Sequence, residues 1–330
     1  MTLAGFGRFF APLALTIATI VPAHANNGGL EAQFDSVIGT TATPPDFTAT
    51  YDSALERQIA RIADSDKGRI GVAAIDLTTG KQISILGNQR FPLASTSKVA
   101  IAATFLEGVD QGRLSLDARY PMMLSPTREG QVMSARQLIE LAITRSSNPA
   151  ADGLLRAVGG PRAVNDWVHR AGIREFSIDR DIWTLVREDG AVDPARSIDT
   201  RDSVTPLGMA RLIKGLHDGR WLSQSSRSVL LGAMARCKTG PQRIPGQMPT
   251  GVMVAHKTGS LYNTSSDVGI VTGPDGHAIA LAIYVTGGRN DHKYRFEKIG
   301  TIARAVYDGF QAQPAQVWAS ATYDRATPAP

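Results

Sequence analysis

Strand-type and helix-type patterns are distributed unevenly along this 330-residue chain, and that distribution constrains its fold more than any other feature. Arg69 to Asp76 and Gln82 to Leu86 are β-rich runs joined by Leu77-Thr78-Thr79-Gly80, turn chemistry with a glycine where a positive φ is needed. Gly251 to His256, Val268 to Thr272 and Ala278 to Val285 have the same character near the other end. Between Val99 and Leu230 the apolar period is helical almost throughout, at Val99 to Gly108, Ser134 to Thr144, Pro149 to Val158, Pro161 to Ala171 and Pro206 to Leu216. Further helical periods occupy Tyr51 to Asp64 and Tyr294 to Phe310. The pattern predicts a two-lobed α/β (α+β) protein: a five-stranded antiparallel sheet built from both chain ends and flanked by helices, with an all-α lobe inserted. Two such lobes meet at a cleft, where ligands usually bind.

Composition narrows what the cleft can take. Net charge is +5, from 35 basic and 30 acidic residues, and no run of like charges marks a nucleic-acid surface. Cys237 is the single cysteine, which excludes an intrachain disulfide and a thiolate metal cluster. The six histidines have no metal-ligand spacing, so neither metal nor organic cofactor is expected. The chain is read as a monomer acting on a small molecule. Arg8, the apolar run Phe9 to Val21 and Ala23-His24-Ala25 read as a secretory signal peptide over 1–25, too short in its apolar part to span a bilayer. A periplasmic or secreted protein without a stable membrane anchor follows. Residues 26–50, with Thr43-Pro44-Pro45, read as a linker, and 311–330 as an unstructured tail.

Three short motifs carry chemistry. Ser95-Thr96-Ser97-Lys98 opens an apolar helix, and a three-residue offset puts hydroxyl and amine on one face. A lysine held neutral there can take the serine proton, and the helix start offers free N–H groups to an oxyanion. Ser146-Ser147-Asn148 precedes Pro149, which reads as a turn with Asn148 as N-cap, or as a proton shuttle at Ser146 beside a substrate-binding amide at Asn148. Lys-Thr-Gly occurs twice. Lys238-Thr239-Gly240 looks like a glycine-capped helix end, with Cys237 a small residue closing the helix. Lys257-Thr258-Gly259 continues the alternating Val252, Val254, His256 run and lies on a strand at the cleft edge. His256 reads as a strand residue, with no carboxylate partner evident.

S-x-x-K, then a variant of S-D-N, then K-T-G, in that order, resembles the class A serine β-lactamases and their penicillin-recognising relatives. The likeness extends over roughly residues 51–310, through Phe91-Pro92, Gly159-Gly160-Pro161, Arg201-Asp202 and Thr205-Pro206. It implies a catalytic domain in which Ser95 is acylated, Lys98 activates it, and Ser146 and Lys257 relay a proton to the leaving nitrogen. It further implies an oxyanion hole from the N–H groups of Ser95 and Ser260, and a substrate site at Asn148, Thr258, Gly259, Ser260 and Arg243. The implied activity is opening of β-lactam rings through an acyl-serine. A D-alanyl-D-alanine peptidase or esterase of the same fold, and a β-lactam sensor that acylates without turnover, are the alternatives.

The chain departs from the family pattern in places. Ser147 stands where the family has an aspartate, and Ile182 where it has the glutamate that activates the deacylating water. The loop from Arg180 to Pro206 is longer than usual by about seven residues, and counting back from Arg201-Asp202 puts Glu188 and Asp189 near the glutamate's place. Glu188, with Leu185-Val186 packed beneath it, is the candidate deacylation base; Asp181, Asp189 or no base at all remain open. Arg180 is free to pair with Asp202 across the loop.

Overall fold

The computed structural model describes residues 51, 53–288 and 291–324, with side-chain surroundings up to residue 312. The signal-peptide and linker readings lie outside these residues. α1 (Ala54–Ala63) leads into β1 (Ile70–Asp76) and β2 (Gln82–Ile85). The chain returns as β8 (Met253–Leu261), β9 (Thr264–Thr272) and β10 (Ala278–Thr286), and the five strands form one antiparallel sheet in the order β2-β1-β10-β9-β8. The sheet is therefore assembled from both ends of the chain. Gly80 closes the β1–β2 turn at φ 76, and Asp76 Oδ1 accepts from Thr78 N and Thr79 N.

Each face of the sheet buries its own core. On one face Ile70, Val72, Ile283 and Val285 pack with Ile59 of α1 and with Ile299, Ile302, Val306 and Phe310 of α9 (His292–Asp324). On the other, Ala73, Ile75, Ala280 and Tyr284 meet the helical lobe. α9 runs to Asp324, so residues 311–324 are helical where the sequence reading has an unstructured tail. Its alanines and glutamines favour helix, against Pro314 within it, which lacks the N–H a helix interior uses.

The lobe centres on α2 (Ser97–Asp110), preceded by a 3₁₀ turn at Ala94–Thr96. Apolar residues surround its axis from Val99 to Leu106 and all are buried, as expected of a helix enclosed by protein. Around it stand α3 (Ala135–Thr144), α4 (Asn148–Val158), α5 (Pro161–Arg170), α6 (Ile182–Arg187), α7 (Pro206–Asp218) and α8 (Gln224–Ala235). The lobe is not wholly α. β4 (Arg119–Ser125) and β5 (Arg128–Ser134) form a hairpin against α4. Short β3 (Phe91–Pro92), β7 (Ser203–Val204) and β6 (Phe176–Ser177) form a second small sheet that ties the loop ends to the entry of the 3₁₀ turn.

The hairpin sits against α4 because Gly153 has no side chain. A Cβ there would lie 2.4 Å from the Pro121 carbonyl oxygen. Alanine is the better helix former by about 1 kcal/mol, but overpacking against backbone costs about 1–3 kcal/mol. Gly153→Ala is therefore expected to lower stability, read as a reduced denaturant midpoint; an increase would show that the hairpin yields freely.

Candidate functional site

The start of α2, the turn into α4 and the middle of β8 converge on one cleft. Gly259 makes the convergence possible, since a Cβ there would come 3.1 Å from Ala94 Cβ and 3.2 Å from the Leu93 carbonyl oxygen. Strand β8 thereby lies against the chain just before Ser95. Ala94, just before Ser95, and Ser146, beside Lys98, have φ of 45 and 59. A non-glycine residue in the left-handed region is strained, and such strain clusters at functional sites.

Lys98 is almost wholly buried, 1% exposed, and its Nζ has four polar neighbours. These are Ser95 Oγ at 3.0 Å, Ser146 O at 2.7 Å, Ser146 Oγ at 3.2 Å and Asn148 Oδ1 at 2.6 Å. Burial, then the charge of Lys257, hold its pKa well below the ordinary lysine value; Asp152 opposes them. Lys257, fully buried, donates to Ser146 Oγ at 2.9 Å and to the Thr258 carbonyl at 2.8 Å. Burial pushes it down to about 8, against the charges of Cys237 and Asp267 and with that of Arg243.

Capping differs from the sequence reading. Ser147, not Asn148, is the N-cap of α4, its hydroxyl accepting from Ala150 N. That frees the Asn148 amide, whose oxygen meets Lys98. Helix α8 ends at Ala235, so neither Cys237 nor Gly240 closes it; Gly240, at φ 64, begins a turn in which Arg243 N donates to its carbonyl. His256 has a carboxylate partner that local sequence did not reveal, since its Nδ1 lies 2.8 Å from Asp267 Oδ1 on the neighbouring strand. Arg243 is buried and donates to the carbonyls of Gly259 and Ser266 and to Ser260 Oγ, each at 2.7 Å.

The loop candidates fall differently. Arg180 Nε meets Asp202 Oδ2 at 2.7 Å, pinning the two loop ends. Glu188 is half exposed and its carboxylate is taken by Arg180 Nη1 at 2.6 Å. Asp181 accepts from Thr184 N as the N-cap of α6, and Asp189 accepts from Tyr262 N. Of Leu185 and Val186, only Leu185 is buried. Ile182 is buried, and its N–H donates to Asp152 Oδ1 at 2.8 Å while Trp183 N donates to Oδ2 at 3.0 Å. Ser95, Lys98, Ser146, Asn148 and Lys257 are thus joined by hydrogen bonds, and the hydrogen bonds described for Glu188, Asp181 and Asp189 lead elsewhere.

Asp152 was missed in the sequence. It lies one helical turn after Asn148, an i, i+4 spacing that would have placed it on the same face. Burial raises its pKa to about 6, with Asp181 adding to the effect and the two N–H bonds and Lys98 opposing it.

A family model described as the beta-lactamase enzyme family matches residues 54–310. The chain is 30% identical to beta-lactamase CTX-M-4 of Salmonella typhimurium, over 90% of this chain and 97% of that protein. It is 26% identical to the extended-spectrum beta-lactamase PER-1 of Pseudomonas aeruginosa, over 79% and 88%. Among solved structures, the class A beta-lactamase of the last common ancestor of Gram-negative bacteria superposes with a TM-score of 0.71 at 33% identity, covering 78% of this chain and all of that one.

Asp152 makes a stability test. Asp152→Ala leaves two amides at the start of α6 without their acceptor, a loss of about 2 kcal/mol. Because its folded pKa lies above the ordinary 3.8, its contribution is full below about pH 4 and is lost as pH rises through about 6. The difference in melting temperature between wild type and Asp152→Ala is expected to be larger at about pH 5 than at about pH 8; a pH-independent gap would contradict this.

Proposed function

The chain belongs to the β-lactamase enzyme family and has the class A fold, and we propose that it opens β-lactam rings by acylation of Ser95. The observation that carries the proposal is the set of acceptors around Lys98. A neutral amine has two hydrogens and one lone pair. Ser146 O and the Asn148 amide oxygen are acceptors only, so they take both hydrogens. The lone pair is left for the Ser95 hydroxyl, 3.0 Å away. Neutral Lys98 is then the base that Ser95 needs.

The step balances with no cofactor. Ser95 Oγ attacks the lactam carbonyl and its proton passes to Lys98 Nζ. The tetrahedral oxyanion is held by the N–H groups of Ser95 and Ser260. The C–N bond breaks as Ser146 Oγ gives its proton to the departing nitrogen, and is reprotonated across its contacts with Lys98 and Lys257. Asn148, with its oxygen on Lys98, turns its NH₂ toward the substrate amide. Thr258, Ser260 and Arg243 hold the substrate carboxylate, Arg243 fixing the Ser260 hydroxyl and Gly259 allowing the strand to approach.

Hydrolysis of the acyl-serine requires a base on a water, worth about 10²- to 10⁴-fold in rate. Ile182 cannot act so, and Glu188 could do so only by releasing Arg180. We therefore assign deacylation as the slow step. The same observation favours, as a second reading, a long-lived acyl-protein that reports β-lactams. Intact-mass measurement during exposure to a chromogenic cephalosporin decides between them: a rapid burst, an accumulating adduct and slow steady turnover are expected, with indefinite accumulation supporting the sensor. Ser95→Ala is expected to abolish the adduct, and Glu188→Gln to leave its lifetime within about twofold. An adduct on another serine overturns the assignment; a greatly prolonged lifetime in Glu188→Gln makes Glu188 the base.

Export is the remaining part of the proposal. Among the described residues no helix is long and apolar enough to cross a membrane, and the pattern Arg8, Phe9 to Val21, Ala23-His24-Ala25 supports a cleaved leader. A periplasmic or secreted protein beginning at Asn26 is expected on N-terminal sequencing; accumulation of the uncleaved chain in the cytosol would count against it.

A further inference from the structure

The first Lys-Thr-Gly is not used to cap α8, and its threonine meets the second. Thr239 Oγ1 lies 2.6 Å from Thr258 Oγ1 and, on its other side, 3.3 Å from Cys237 Sγ. The approach is tight: a Cβ on Gly240 would come 2.7 Å from Thr258 Cγ2. A chain of thiol, hydroxyl and hydroxyl thus runs from beside the buried His256–Asp267 pair to the threonine read above as a carboxylate ligand.

Each hydroxyl has one hydrogen to give, so the chain has two directions. When Cys237 carries its proton, S–H donates to the nearer acceptor, Thr239 Oγ1 at 3.3 Å rather than the Thr239 carbonyl at 3.7 Å, Thr239 donates to Thr258, and the Thr258 hydrogen is free to face the cleft. When Cys237 is a thiolate it can only accept. It takes the Thr239 hydrogen, Thr239 accepts from Thr258, and Thr258 then presents lone pairs to an anionic substrate group. We propose that Cys237 is a positioning residue of the cleft, setting through Thr239 the direction of the Thr258 hydroxyl and hence the grip on the substrate carboxylate. This rests on the assignment of Thr258 to the carboxylate.

The thiol titrates where the switch matters. Burial pushes Cys237 up, but the hydrogen bond and charge of His256, with the hydrogen bonds to Thr239, bring it down to about 7. Burial would lower His256, yet Asp267 and the thiol raise it to about 10, so it stays an imidazolium throughout. Lys257 and Arg243 are the other charged groups that feel the thiol. The sign is therefore fixed: binding is tighter below about pH 7 and weaker above it. Lys257, at about 8, titrates nearby, so the variants rather than the wild-type profile isolate the thiol.

The measurement is the half-saturating concentration for single-turnover acylation by a chromogenic cephalosporin with a free carboxylate, from about pH 6 to about pH 9. A rise of about 3- to 10-fold is expected for wild type, the size of one hydrogen bond. Cys237→Ala and Thr239→Val are expected to remove the part centred near 7. Cys237→Ser, a donor that does not titrate, is expected to keep the low-pH value of the wild type across the thiol range. If Thr258→Val raises the half-saturating concentration but Cys237→Ala and Cys237→Ser keep the wild-type profile, the switch is overturned and the carboxylate site stands. If Thr258→Val has no effect at low pH, the carboxylate assignment itself fails.

Discussion

An amine buried at the head of the central helix is the constraint around which the cleft is organised. Water solvates an ammonium far better than protein does, so Lys98 must either find acceptors or lose its proton. The fold supplies both answers. Two carbonyl oxygens are brought to it, one of them by forcing Ser146 into a left-handed backbone. The other is available because Ser147 takes over the cap of α4. An aspartate at position 147 could cap equally well, so the serine keeps the turn while removing a negative charge that would favour protonated Lys98.

The loop that covers this region spends its carboxylates on holding its own shape. Asp202 receives Arg180 together with the amides of Asp179 and Arg180, Asp181 starts α6, and Glu188 neutralises the remaining side of Arg180. Asp189 and Asp193 bind Tyr262 N and Asn263 Nδ2, tying the inserted part of the loop to the turn between β8 and β9. Beneath it, Asp152 receives the first amides of α6. A loop this long would otherwise lose considerable entropy on ordering; charge-assisted bonds at both ends and along its middle offset that loss. The consequence is chemical as well as structural, because a carboxylate engaged by arginine or by backbone amides has to give up that partner before it can reach a water.

Periodicity and apolar runs were sufficient to locate the five strands and the main helices, because these elements bury one face or, like β1, β10 and α2, nearly all of their surface, while the three motifs were read from residue identity and spacing. The β4–β5 hairpin was not legible: Arg119, Arg128, Glu129 and Gln131 are exposed, and although Tyr120, Met122, Met123 and Met133 pack toward the lobe, register shifts around Met123 break the strict alternation, and the close backbone approach at Gly153 leaves no mark in hydrophobic periodicity. The first half of β9 was missed for the opposite reason. Thr264, Ser265, Ser266 and Asp267 are polar yet buried, each matched to a partner distant in sequence, as Arg295 is to Ser265 and His256 to Asp267. Site residues within one motif could be read from spacing. Pairings set by register between strands, or by which of two adjacent residues caps a helix, could not.

The two lysines of the cleft need opposite states, and the surroundings separate them. A base at Ser95 has to be neutral, whereas attraction of an anionic substrate needs a cation nearby. Both lysines are buried, so desolvation alone would lower both and distinguish neither. The difference comes from their neighbours. Lys257 sits by Asp267 and the thiol of Cys237, which favour its charged form, and only Arg243 opposes them. Lys98 has Lys257 itself as its chief charged neighbour, with Asp152 acting against it. Lys257 therefore keeps its proton to about 8 and, by keeping it, helps drive the proton from Lys98. The His256–Asp267 pair behind the strand belongs to this arrangement, because removing its negative end would release Lys257 toward the neutral form and weaken the difference on which acylation depends.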